Sequence, residues 1–236
     1  MVHETIDWVR RARTVVPKRD RAVLLSPPRL VARFLRFARA HHAGSGGDAA
    51  DDLRARDLEL SKLIMDFCDV FARRYFRLRV EGVAHVPARG PVLLVGNHNG
   101  GLLPTDGFFT ALAIYKRFGA ERAVYSMAHD FLFEDPLLRS YALRLGMLRA
   151  GRQSAHQVFA AGQCLLVYPG SDLEPFRPFS DRGKVVLAER TGFLRVALRE
   201  RVPIVPVVSA GTHVQLIVLF RGDRLARLLH AHARFK

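Results

Sequence analysis

The 236-residue sequence is short of cysteine, tryptophan and acidic side chains: it has two cysteines, one tryptophan, and 22 Asp and Glu against 37 Lys and Arg. Cys68 and Cys164 lie far apart, and neither has a partner at metal-ligand spacing, so the sequence offers no disulfide framework and no metal site is expected. A reducing cytosol is the natural setting. The N-terminal residues MVHETIDWVRRAR lack the apolar core of a signal peptide. Long apolar runs are missing as well. Residues 91–115 are interrupted by Asn97, His98, Asn99, glycines and Pro104, and residues 202–220 by Pro203, Pro206, Gly211 and His213, so no transmembrane span is predicted. There is no internal repeat. Hydrophobic residues at 49% and charged residues at 25% exclude a disordered tail, a collagen-like chain and a disulfide-dependent miniprotein.

What is abundant is positive charge, a formal net +15. Such a surface attracts phospholipid headgroups, nucleic acid or acidic cofactors, and charge alone does not choose among them. No helix-turn-helix signature, zinc ligand set or paired aromatic RNA-binding motif is present, so no nucleic-acid partner is expected. Residues 28–40 read as an amphipathic helix. Leu30, Val31, Phe34, Leu35, Phe37 and Ala38 fall on one side, and Arg29, Arg33, Arg36 and Arg39 on the other. This pattern fits an interfacial membrane helix and equally a surface helix docked on its own domain. Residues 41–52 (HHAGSGGDAADD) supply no core and read as a flexible connection. The expected organisation is a basic amphipathic N-terminal segment with its linker over 1–52, then one domain over 53–236.

Within that domain, 53–75 has helical spacing with Leu60, Leu63, Ile64, Phe67 and Phe71 as its apolar stripe. Short apolar runs then alternate with helices. Strands are predicted at 76–80, 92–96, 123–126, 147–149, 164–168, 204–209 and 215–220, and helices at 106–118, 135–145, 154–161 and 185–199. PVLLVGN, CLLVYPG and PIVPVV are continuously apolar, as strands buried on both faces should be. The pattern predicts an α/β fold with a central, mostly parallel mixed sheet flanked by helices and preceded by amphipathic N-terminal helices. In such sheets sites lie at the carboxyl ends of strands.

The strand PVLLV is followed by GNHNGGLLPTDG, residues 96–107. Gly100 and Gly101 permit tight backbone curvature, and Pro104 delays the next helix. If the loop folds back, Asp106 takes the Nδ1 proton of His98 and leaves Nε2 basic, an arrangement suited to a general base acting on a substrate hydroxyl. The same spacing fits a second reading, in which Thr105 or Asp106 caps the helix and His98 serves backbone groups in the turn.

Four blocks in this order, VGNHNGGLLPTDG, GMLRAGRQ, LLVYPGSDLEPF and VPIVPVVSAGTH, resemble the lysophospholipid and glycerolipid acyltransferase superfamily. They are most similar to its bacterial monoacylglycerol/diacylglycerol acyltransferase-like branch, over about residues 79–227. The interval between His98 and Asp106 is longer than in the superfamily's commonest form and matches that branch. The resemblance implies that His98 and Asp106 are catalytic, and that Asn97, Gly100, Gly101, Pro169, Gly170, Ser171 and Glu174 border the substrates. It also implies that Arg149 and Arg152 hold a phosphate of the acceptor, a task suited to charge-assisted contacts. In phosphate-acceptor members the third block reads Phe-Pro-Glu-Gly-Thr. Here Gly170 stands in place of that Glu, and Glu174 fits the later Glu of the neutral-lipid-like branch. Arg177, Arg182 and Lys184 read either as phosphate contacts or as solvated loop charges. Val202 to Val207 resembles the apolar strand that closes the superfamily's core and helps shape its acyl tunnel, and His213 reads as a local turn residue. Members of the branch generally continue past the counterpart of RGDRLARLL, so a chain ending at Lys236 implies a dispensable or shortened C-terminal part and an exposed sheet edge.

The implied activity is transfer of a fatty acyl group from acyl-CoA or acyl-carrier protein to a hydroxyl of a lysophospholipid or a mono- or diacylglycerol. The expected setting is the cytoplasm, peripheral on the anionic inner face of the plasma membrane. No permanently bound cofactor is expected, the acyl donor being a substrate. The alternative is a catalytically inactive lipid-binding or membrane-scaffolding protein of the same fold.

Overall fold

The computed structural model describes residues 53–99, 104–187 and 189–211, with the backbone alone for Asp172. The 28–40 helix, the 41–52 connection, Gly100, Gly101, His213 and the 215–220 strand lie outside the described residues.

A short 3₁₀ turn, Leu53–Ala55, leads into α1, Leu58–Arg74. Asp57 caps α1 by accepting the Leu60 N–H at 3.0 Å. The elements that follow are β1 (Val92–Gly96), α2 (Thr105–Phe118), β2 (Val124–Ala128), α3 (Pro136–Arg144), β3 (Met147–Arg149), α4 (Arg152–Ala160), β4 (Cys164–Val167), α5 (Gly192–Glu200) and β5 (Ile204–Val207). The sheet order is β3-β2-β4-β1-β5, and every pairing is parallel. A mostly parallel mixed sheet was expected, and no antiparallel pairing occurs among the described residues. The reason is in the connections: each passes through a helix, which returns the chain to begin the next strand in the same direction.

Strand residues alternate between faces, which separates the helices into layers. Ile114 of α2 packs with Val92, Leu94 and Leu166 on one face. Ala155, Val158 and Phe159 of α4 and Ala197 of α5 pack with Leu93, Leu165 and Val167 on the other. β1 and β4 lie in the middle, and each of their fully buried leucines contributes about 1.5–3 kcal/mol.

Three expectations are corrected. Residues 76–80 form no strand: Arg77 turns left-handed at φ 51°, and the Phe76 and Leu78 N–H groups close back onto Phe71 and Ala72 carbonyls at the end of α1. Residues 185–187 and 189–191, expected to be helical, are not. Glu189 is left-handed at φ 54°, and the Val186 N–H is drawn away to the Glu174 carboxylate. PIVPVV is not buried on both faces, since Ile204 and Pro206 are exposed, and β5 is an edge strand among the described residues, a place where Pro206 costs no ladder bond. The stripe of α1 also divides: Leu60 and Leu63 are buried, whereas Phe67 and Phe71 are exposed.

Both cysteines are free and buried. Burial, with Asp69 beside it, pushes the Cys68 thiol up to about 12, and burial pushes Cys164 to about 11 against the opposing pull of Arg122. At pH 8 their thiolate fractions are therefore on the order of 10⁻³ or less. Ellman's reagent should leave both thiols unmodified in the folded protein and titrate two on unfolding. Rapid native labelling would contradict this burial.

Candidate active site

Three consecutive polar residues, Asn97, His98 and Asn99, leave the carboxyl end of β1, and Tyr168 leaves the neighbouring end of β4. Val95 pairs with Val167 in register, which sets Gly96 beside Tyr168. A Cβ on Gly96 would lie 2.5 Å from the tyrosine ring. The glycine thus makes room for Tyr168 to stack on the His98 imidazole, with centroids 4.7 Å apart and planes 20° apart.

Asp106 lies in the first turn of α2, where the helix dipole favours a carboxylate. It is 2% exposed. Its Oδ2 lies 2.8 Å from His98 Nδ1 and accepts the Asn99 N–H at 2.8 Å, while Oδ1 accepts the Gly107 N–H at 2.9 Å. An ionised carboxylate only accepts, so Nδ1 carries the proton and the neutral ring keeps its lone pair at Nε2. The capping position of α2 falls on Pro104, without a side-chain hydrogen bond, so Asp106 is not the cap of the second reading.

A further carboxylate grips the backbone of the same histidine. Glu174 is fully buried. Its Oε2 accepts the His98 N–H at 2.7 Å, and its Oε1 accepts the Val186 N–H at 3.1 Å. Gly170 clears the space: a Cβ there would sit 2.2 Å from the Val186 carbonyl and 2.7 Å from Glu174 Oε2. Arg177 is buried as well. It donates to Asn99 Oδ1 at 2.6 Å and to the carbonyls of Glu174 (2.6 Å), Asp181 (3.0 Å), Arg182 (3.1 Å) and His98 (3.5 Å). It is neither a solvated charge nor a free phosphate ligand. Asn97 exchanges two hydrogen bonds with the Ser209 backbone at 2.9 and 2.7 Å, and Asn99 donates to the Ser209 carbonyl at 2.6 Å, tying the ends of β1 and β5 together.

His98, whose side chain is 18% exposed, opens on a cavity of about 1640 Å³. Of the residues predicted to border a substrate, Arg152, Pro169 and Ser171 line it with His98 and Tyr168. Asn97, Gly170 and Glu174 stand behind this lining. Arg149 is turned to Asp130, 3.5 Å away, and to the Phe133 ring. Met65, Phe108, Met127, Phe176 and Phe193 give the cavity its apolar stretches, and Arg152, Arg190, Arg195 and Arg199 its positive ones. Arg182 and Lys184 stay at the surface near Phe179 and Asp181. Burial, aided by the Asp106 charge, holds the Tyr168 phenol well above its ordinary value despite the opposing Thr110 hydroxyl. Tyr168 therefore stays protonated. Among the described residues no group of His, Cys, Asp and Glu could hold a metal ion, and no helix is long and apolar enough to cross a membrane.

The Acyltransferase family profile matches residues 77–210, more than half of the chain, and spans His98, Asp106, Tyr168, Glu174 and Arg177. The chain belongs to the acyltransferase family. This acyltransferase-family chain is 32% identical over 168 residues to an uncharacterized protein of Mycobacterium tuberculosis, covering 71% of the chain and 47% of that protein. A Mycobacterium leprae uncharacterized protein is 31% identical over 166 residues, covering 70% of the chain and 45% of the relative. A human protein named DGAT1/2-independent enzyme synthesizing storage lipids is 27% identical over 178 residues, covering 74% and 52%. The chain spans about half the length of the curated relatives it matches. No solved structure gives a significant match.

Sequence reasoning passed over Tyr168 and left Arg177 among loop charges. The available signals were an aromatic directly after a buried strand, and an arginine three residues from Glu174. Glu174→Ala would leave the partly buried His98 and Val186 N–H groups without their acceptor, at up to about 1–3 kcal/mol each. Gly170→Ala would force the backbone at Val186, at about 1–3 kcal/mol. Both should lower the urea midpoint, with Glu174→Gln losing less than Glu174→Ala. A wild-type midpoint for Glu174→Ala would contradict the described bonding.

Proposed function

We propose that this acyltransferase-family protein moves a fatty acyl group from an acyl thioester, acyl-CoA or acyl-carrier protein, to a glycerolipid hydroxyl. The observation that carries the reading is His98: its Nδ1 is held 2.8 Å from the buried Asp106 carboxylate while the ring borders a large, mostly apolar cavity. In this mechanism the acceptor hydroxyl sits against Nε2. As its oxygen attacks the thioester carbonyl carbon, its proton passes to Nε2, and the carbonyl π electrons move to oxygen. Asp106 holds the ring and stabilises the imidazolium. Collapse of the oxyanion reforms the carbonyl and breaks the C–S bond, and the departing thiolate takes the proton from the imidazolium. The protein makes no covalent bond to the acyl group, in keeping with two thiols that burial holds protonated.

For the acceptor, the name of the human relative supports a neutral mono- or diacylglycerol. So does Gly170, which stands where phosphate-acceptor members carry a carboxylate. The net charge of +15 supports a peripheral site of action on the anionic inner face of the plasma membrane.

The test is incubation of purified protein with labelled acyl-CoA and, separately, monoacylglycerol, diacylglycerol and lysophosphatidate, with the labelled lipid identified by mass spectrometry. His98→Ala should lower turnover by about 10²–10⁴-fold, and Asp106→Asn should lower it in the same direction. Near-wild-type turnover by a folded His98→Ala protein would remove the base from the mechanism.

A further inference from the structure

The second half of α1 and the segment after it carry an unusual surface. Phe67, Phe71, Tyr75 and Val80 are exposed, Tyr75 at 75%. The Phe67 and Phe71 rings are 4.7 Å apart, and those of Tyr75 and Phe76 are 4.9 Å apart. Arg74, Arg77 and Arg79 are exposed in the same stretch, and the run RRYFRLRV over residues 73–80 contains no acidic residue, the exposed Glu81 following it. Arg73 is bound by Asp69, which also takes Lys116. Water around the rings and repulsion among the guanidinium groups both disfavour this surface. A partner with an anionic skin over an apolar interior relieves both at once.

The position of α1 indicates which such partner fits. Ser61 and Met65, on the other side of the helix, line the His98 cavity. Met65 and Phe67 are about 160° apart on the helical wheel. α1 is therefore a wall with the cavity on one side and the aromatic–arginine strip on the other. Other places also expose large apolar side chains, among them Leu173, Phe176, Val185 and Leu187 after β4 and Ile204 and Val208 at β5, but none of these groups contains two exposed aromatics in ring contact beside exposed arginines. Phe131, Leu137 and Leu138 stand among the exposed acids Asp130, Glu134 and Asp135, which anionic lipid repels. On α5, Leu194 and Leu198 are exposed without an exposed aromatic beside them, and Arg195 and Arg199 of that helix border the cavity.

We propose that the face formed by Phe67, Phe71, Tyr75 and Val80 with Arg74, Arg77 and Arg79 docks on an anionic lipid bilayer, the aromatics entering the headgroup boundary and the arginines contacting lipid phosphates. The inference rests on the reading above only in taking the cavity as a lipid site, and it identifies the surface that brings the cavity wall to the membrane.

The buried native thiols allow one introduced cysteine to be labelled selectively in the full chain. Tyr75→Cys, with Leu198→Cys for comparison, would carry the polarity-sensitive dye NBD and be titrated with phosphatidylcholine vesicles with and without phosphatidylglycerol. The dye at 75 should brighten and shift to the blue with phosphatidylglycerol vesicles, and the dye at 198 should not. The triple variant Arg74→Glu, Arg77→Glu, Arg79→Glu should bind these vesicles at least about tenfold more weakly at an unchanged unfolding midpoint. A response at 198 but not 75, or no response at either position, overturns the proposal. So does a dye at 75 that is already blue-shifted without lipid, since the face is then covered by the chain itself or by a second copy, and so does tighter binding to single-stranded RNA than to vesicles. No readout involves acyl transfer. Insertion without transfer would remove the enzymatic reading alone, and transfer without insertion at 75 would remove this one alone.

Discussion

Two buried carboxylates converge on one residue. Asp106 holds the His98 ring, and Glu174 holds the His98 N–H. Neither carboxylate is solvated, and a charge removed from water costs several kcal/mol unless donors replace the lost hydration. Asp106 receives His98 and two backbone N–H groups, and Glu174 receives two backbone N–H groups. The donors that meet this cost are the groups that define the path of the loop. Solvating the carboxylates and fixing the imidazole are thus one arrangement. Turning the ring away would strip Asp106 of a donor in a place where water does not replace it.

Topology brings the parts together. From β1 the chain moves outward to β2 and β3, then returns to lay β4 directly against β1. His98 and Glu174, 76 positions apart, therefore meet at adjacent strand ends. Two glycines make the meeting possible by their lack of bulk rather than by unusual backbone angles. Gly96 admits the Tyr168 ring, and Gly170 admits Glu174 and the Val186 carbonyl. Arg177 completes the assembly by joining the loops after β1 and β4 to residues 181–182 through carbonyls and the Asn99 amide.

Much of this was legible in the sequence. Buried runs marked β1 and β4; the His98–Asp106 spacing left a capping reading open beside the pair, and the resemblance of the four blocks singled out the pair. What escaped has a common cause: a one-dimensional pattern does not say what lies opposite. Phe67 and Phe71 continue the helical period of Leu60 and Leu63, yet they stay exposed among the described residues, so one stripe is half core and half surface. In a chain this rich in arginine, the buried Arg177 has the same local sequence character as the exposed Arg182. The 76–80 run has strand-like composition, but its N–H groups close the end of a helix. At the start of the expected 185–199 helix the Val186 N–H goes instead to the Glu174 carboxylate.

The same geometry bears on acceptor choice in the proposed reaction. Where phosphate-acceptor members carry a glutamate, this chain has Gly170, and the carboxylate arrives from position 174 with both oxygens turned inward to backbone N–H groups. The third sequence block therefore presents no charge to the cavity through Glu174. Arg149 is drawn aside by Asp130 and Phe133, while Arg152 borders the cavity at the start of α4. Recognition of a phosphate by the GMLRAGRQ block would thus fall to Arg152, a residue at the cavity wall rather than in the buried network around His98. In the proposed reaction, discrimination between charged and neutral acceptors would then be separable from the residues that position the base, because the two share no hydrogen bond in the network described.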